Sequence, residues 1–156
     1  MAACGGALKM EAPRNHLSIA LPEGWRDEST ILIKAPVIDM RMPFAPIFGT
    51  QREPLPEDFV GMGYEGLELY AQHHLRYLKR EYENVVVEAD PANSLDRSMR
   101  EMIVRCDLEE MTVTQWITLS YWNEATVLIT TAAAGYLDFP SLEQTFRRLR
   151  ETLRIS

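Results

Sequence analysis

The densest hydrophobic pattern in the chain runs from Met111 to Ala134, where β-branched and aromatic residues fill two strand-like runs. They meet at Asn123-Glu124, which predicts a hairpin. In the first run Val113, Gln115, Ile117, Leu119 and Tyr121 share one face, and Thr114, Trp116, Thr118, Ser120 and Trp122 share the other. Pairing Trp122 with Ala125 adds Thr126, Leu128, Thr130 and Ala132 to the Gln115 face and Val127, Ile129 and Thr131 to the Trp116 face. Asn-Glu is a weak turn signal, so a one-residue slip, which exchanges the faces, stays open. Neither face alternates apolar with charged residues as a solvated face does. The hairpin therefore predicts a cover on both sides.

Ahead of it, His16–Leu21 reads as a first strand, Ser29–Ala35 as a second and Ile47–Arg52 as a third. Residues 1–15 read as a loose tail, which leaves 16–156 as one domain. Glu53–Gly66, with two prolines and three glycines, predicts a long loop. Leu67, Ala71, His74, Leu75, Leu78 and Tyr82 form one apolar stripe, which predicts a helix over Leu67–Tyr82. Asn84–Glu88 and Met99–Leu108 read as strands. The second sets Met102, Val104, Cys106 and Leu108 against Glu101, Ile103, Arg105 and Asp107. Asp138-Phe139-Pro140 reads as a break, followed by a helix capped by Ser141 with Gln144 completing a capping box. On that helix Leu142, Phe146, Leu149 and Leu153 form the apolar stripe, and Arg147, Arg148 and Arg150 face out. The order implies an α+β domain: a mostly antiparallel sheet of six or seven strands with two flanking helices.

Charge narrows the partners. The chain has 156 residues and a formal net charge of −7, so it lacks the basic stripe that a nucleic-acid backbone requires. Acidity also disfavours an anionic membrane surface, and no run is long and apolar enough to insert in a bilayer. The N-terminus has no charged region followed by an apolar run, so a cytoplasmic location is expected. Cys4 and Cys106, one in the tail and one in a strand, are expected to stay reduced.

Chemistry is sparse. Gly61, Gly63 and Gly66 have the spacing of a dinucleotide loop, but a Pro-rich stretch precedes them instead of a strand. His73 and His74 are adjacent, so on a helix they diverge by about 100° and cannot share a metal as an i, i+4 pair does. No Ser, Cys and His constellation has a local signature. The residues predict no enzyme, no cofactor and no metal. One polar residue stands out: Gln115, on a row with Val113, Ile117 and Leu119. A buried amide without partners costs roughly 1–3 kcal/mol, so Gln115 either bonds the protein's own structure or meets a partner.

The run Ile19-Ala20-Leu21-Pro22-Glu23-Gly24-Trp25, followed by Asp27-Glu28-Ser29, resembles the opening of the DcrB-like family. The resemblance continues through Leu67-Glu68-x-Tyr70, Thr-x-Gln115-Trp-Ile, Ala125–Thr131 and Phe146-Arg-Arg-Leu149, in order, over roughly residues 17–153. It implies the Mog1/PsbP-like fold. Within the family the chain is most similar to the Eag chaperones of type VI secretion. That likeness implies a cytoplasmic homodimer that shields the apolar N-terminal transmembrane segment of a secreted effector before export. The alternative is a DcrB-like envelope protein with a non-catalytic binding role. Carried over residue by residue, the likeness places client contacts at Thr30, Leu32, Gly49, Gln51, His74 and Gln115, with Ile117 beside Gln115 on its row.

Overall fold

The structure, a computed structural model, describes residues 20–26, 30–35, 44–90 and 97–154. Its strands are β1 (Leu32–Lys34), β2 (Ile47–Pro54), β3 (Glu83–Ala89), β4 (Arg100–Leu108), β5 (Met111–Asn123) and β6 (Thr126–Gly135). Its helices are α1 (Tyr64–Glu81) and α2 (Phe139–Thr152). All neighbouring strands pair antiparallel, in the order β1-β2-β6-β5-β4-β3. This is the expected α+β sheet, with six strands among the described residues. Of the predicted first strand, residues 16–19 lie outside the described residues, and Ala20 and Leu21 belong to no strand. Residues 1–15 also lie outside them.

The two longest strands, β5 and β6, form the centre, and each of their faces is covered by one helix. Under α1 the core gathers Leu67, Tyr70, Ala71 and Leu78 from the helix with Met102, Val104, Ile117, Leu119, Val127 and Ile129 from the sheet. Under α2 it gathers Phe139 and Phe146 with Phe48, Trp116, Ala132 and Ala134. Complete burial of a side chain such as Ile117 contributes roughly 1.5–3 kcal/mol.

The expected hairpin register is off by one. Gln115 lies opposite Ala133, Ile117 opposite Thr131, Leu119 opposite Ile129 and Tyr121 opposite Val127. Val127, Ile129 and Thr131 therefore join the Gln115 face, and Leu128, Thr130 and Ala132 join the Trp116 face. The turn falls on Glu124-Ala125, because Asn123 pairs with Thr126 and its Oδ1 accepts the Ala125 N–H at 3.0 Å. The ladder shifts between Tyr121 and Asn123, leaving Trp122 unpaired as a bulge.

The predicted loop Glu53–Gly66 is largely structured. β2 runs on to Pro54, a 3₁₀ turn takes Glu57–Phe59, and α1 starts at Tyr64. The glycines that mimic a dinucleotide loop serve backbone conformation at Gly61 and Gly63, both at positive φ, and packing at Gly66. Gly63, with φ +59°, is the N-cap of α1, where a side chain would be strained. At Gly66 a Cβ would lie 2.5 Å from the Tyr121 hydroxyl and 2.8 Å from the Phe59 carbonyl oxygen. That hydroxyl donates to the Gly63 carbonyl oxygen at 2.6 Å, which ties the start of α1 to β5.

The second helix also differs from its prediction. Its N-cap is Asp138, and Pro140 sits in its first turn, where a missing N–H costs nothing. Ser141 is inside the helix and its hydroxyl donates to the Asp138 carbonyl oxygen, so there is no capping box. The earlier start brings Phe139 to within 5.8 Å of Phe146, centroid to centroid. Two arginines turn inward. The Arg147 guanidinium lies 4.7 Å from the Trp116 ring centroid and 3.7 Å from Glu101, and Arg150 Nε donates to Thr118 Oγ1 at 3.2 Å. Arg148 is exposed as predicted.

Replacing Gly66 with Ala forces the Tyr121 ring or the start of α1 to move. The expected loss is about 1–3 kcal/mol, read as a lower urea midpoint at unchanged slope. A midpoint equal to wild type would show that Tyr121 does not hold α1.

Candidate functional site

The register arranges the residues that the family resemblance marks. Across the α1 face, paired positions line up from strand to strand. Leu32 lies opposite Gly49, Gly49 opposite Thr131, Thr131 opposite Ile117 and Ile117 opposite Met102. The row toward the turn end holds Gln51, Ile129 and Leu119. The row on the other side holds Lys34, Ile47, Ala133, Gln115 and Val104. Leu32, Gly49, Gln51, Gln115 and Ile117 thus share one face of the sheet.

The helix covers that face unevenly. α1 packs chiefly on β3, β4 and β5. On the β1–β2–β6 side Leu32 is 63% exposed, Gln51 is exposed, and Gly49 and Thr131 are half-buried. The Leu32 side chain lies on the Gly49 backbone, since a Cβ at Gly49 would stand 3.4 Å from Leu32 Cδ1. Glycine here lets an apolar side chain lie flat across the strand. Ile117 is fully buried. Its place is in the core beneath α1, which corrects the expectation of a surface contact there. Thr30 is exposed and precedes β1 by two residues, outside the sheet.

His74 borders the strip from α1. Its ring stacks on Tyr70 at 6.3 Å and on Tyr77 at 5.9 Å. Burial pushes its pKa down to about 4, the neighbouring His73 adds to this, and Glu53 opposes it. The imidazole is therefore neutral at physiological pH. Burial, with a smaller push from Glu53, raises the Tyr70 hydroxyl to about 12. Glu53 itself is held by Gln51, whose Nε2 donates to Glu53 Oε1. In the sequence Glu53 opens the predicted loop and Tyr70 belongs to the Leu67-Glu68-x-Tyr70 run, and neither pattern marks a site. The two-residue period from Gly49 through Gln51 to Glu53 carries the signal for Glu53, and the i, i−4 step from His74 carries that for Tyr70.

Gln115 is half-buried, and its Nε2 donates to Cys106 Sγ at 3.7 Å. A thiol is a weak acceptor, so the amide is only lightly engaged. Cys106 is buried and free, and burial raises its thiol pKa, with Asp107 adding and Gln115 opposing. Cys4 lies outside the described residues. No group of three or more metal-ligating side chains occurs among the described residues, and none of their helices is long and apolar enough to cross a membrane. The strip can pack an apolar surface and offer amides and a hydroxyl along it.

The His74 environment fixes a pH dependence. Its folded pKa, about 4, lies below the unfolded value near 6.5, so the unfolded chain takes up the proton first as pH falls. The contribution is complete above about pH 6.5 and is lost as pH falls toward 4. Between pH 7 and pH 5 the expected loss is about 1–2 kcal/mol after allowance for partial exposure. Urea midpoints at the two pH values measure it. In His74→Phe the drop should shrink, and an equal drop in both proteins would assign it to other groups.

Neither a protein-family model nor a curated protein sequence matches the chain. Among solved structures, it is similar to PA94 from Pseudomonas aeruginosa, described as a protein of unknown function and a candidate regulator. The two share 17% identity and a TM-score of 0.63 over 86% of this chain and 88% of that one. At that identity the likeness extends to the fold alone.

Proposed function

We propose that the chain is a non-catalytic chaperone that shields the N-terminal transmembrane segment of a type VI secretion effector before export. It acts in the cytoplasm and as a homodimer. The observation that carries this reading is the open strip beside α1, where Leu32 lies across Gly49 next to half-buried Thr131. An apolar helix laid there exchanges water for protein carbon, as it would otherwise do in lipid. Gln51, Gln115 and Thr131 offer hydrogen bonds to polar groups on the helix that hydrocarbon could not satisfy. The family resemblance supplies the nature of the client. The exposed Ile31 and Ile33, flanking Leu32, supply apolar surface for a second copy.

Co-purification with a tagged apolar effector segment tests the reading. Leu32→Asp should leave the melting temperature near wild type, because the side chain is mostly exposed, and weaken client binding about 10- to 100-fold. Unchanged client recovery from folded Leu32→Asp protein would remove the strip from the function.

Gln115→Leu provides a second check. The N–H···S contact is weak, so the fold should tolerate leucine. Client affinity should fall about five-fold to a hundred-fold from the lost bond. A lower melting temperature with full client recovery would place Gln115 in the scaffold.

A further inference from the structure

Off the Gly135 end of β6, the β4–β5 turn and the β6–α2 turn enclose a hollow of about 460 Å³. Phe44, Met111, Tyr136 and Leu137 give it apolar walls, and Glu110 and Asp138 give it two carboxylates. Leu137 is 87% exposed and Tyr136 is 44% exposed. Neither Glu110 nor Asp138 has an ion-pair partner among the described residues. The Asp138 side chain makes no cap bond to α2, although the residue is its N-cap. It stands over Gly135, with Oδ2 3.1 Å from where a Cβ would be. Arg105 approaches the Tyr136 ring to 5.3 Å, but Glu88 already pairs with it at 3.1 Å. The hollow therefore combines exposed carbon with two carboxylates that no cation among the described residues pairs.

Its position matters. Gly135 pairs with Val113, one row beyond the Gln115–Ala133 pair, on the sheet face that also carries the open strip. The hollow lies off the end of the same two strands. We propose that it receives the Lys- or Arg-bearing flank of the bound transmembrane segment, so that the client lies on the protein in one direction. This rests on the chaperone reading above. The charge is complementary, since membrane-spanning helices carry their basic residues beside the apolar stretch on the cytoplasmic side. Such a flank has the mixture that the hollow offers: long methylene stems for Leu137 and Tyr136, and cationic heads for Glu110 and Asp138.

Two fluorescein-labelled peptides test this on the full-length protein. They share one Leu/Ala helix and differ only in a terminal Lys-Lys or Glu-Glu pair. In low salt the Lys-Lys peptide should bind wild type about 5- to 20-fold tighter, and added salt should erode the difference. Glu110→Lys, a turn substitution, should abolish the preference while leaving the melt unchanged. Leu137→Ser should weaken the Lys-Lys peptide alone. If both peptides bind wild type equally and Glu110→Lys alters neither, the hollow is no flank site and the chaperone reading stands. If neither peptide binds, both readings fall. If Glu110→Lys changes only the sedimentation of the protein without peptide, the hollow belongs to contacts between copies, and the proposal is overturned.

Discussion

Between Tyr121 and Asn123 the β5–β6 ladder takes up an extra residue, and that bulge determines which side chains meet which helix. A strand alternates its faces with period two, so one inserted residue moves every later side chain to the opposite side. Here the shift sends Val127 and Ile129 to join Ile117 and Leu119 under α1. It sends Thr130 beside Thr118 and Ala132 beside Trp116, on the side of α2. Small alanines along β6 then leave room for Trp116, Phe139 and Phe146 on that side. The Gln115 row and the Leu32–Gly49–Thr131 row fall on the α1 side for the same reason.

The elements were legible and the register was not. Long runs of alternating or β-branched residues located β2, β4, β5 and β6, and the helical stripe located α1 to within three residues at its start. The hairpin could not be resolved because its two faces have similar compositions, both mixing hydroxyls with apolar side chains. The pattern therefore gave no penalty for the wrong pairing. The Asn123 side chain made the turn by accepting the Ala125 N–H, one residue later than an Asn-Glu turn implies. Pro140 misled in the same way: a proline is as suited to the first turn of a helix as to ending one. Of the residues marked by family likeness, Leu32, Gly49, Gln51 and Gln115 converge on one face, and His74 borders it. Ile117 does not reach the surface, because its row passes under α1 before it opens. Thr30 precedes β1 and takes no place in the ladder.

Arginine placement followed contacts more than sequence spacing. A run of three basic residues in four reads as a solvated face, yet Arg147 lies against Trp116 and Arg150 reaches Thr118. The indole makes this possible: its Nε1 donates to Glu101 at 3.3 Å, and the same carboxylate attracts Arg147. One acid on β4 thus orients a buried aromatic and a helix together. No periodicity argument contains that information, because the partners lie on three separate elements.

The sheet edges have a bearing on what kind of visitor it can accept. β1 is three residues long, and β3 pairs with β4 through two register irregularities while carrying Glu83 and Glu88. Among the described residues, neither edge presents a long, flat row of free amides on which another strand could grow. Fibre-like stacking of one molecule on the next is therefore disfavoured at both ends. The apolar carbon near β1, at Ile31, Leu32 and Ile33, is exposed broadside, across the faces of the sheet instead of along its edge.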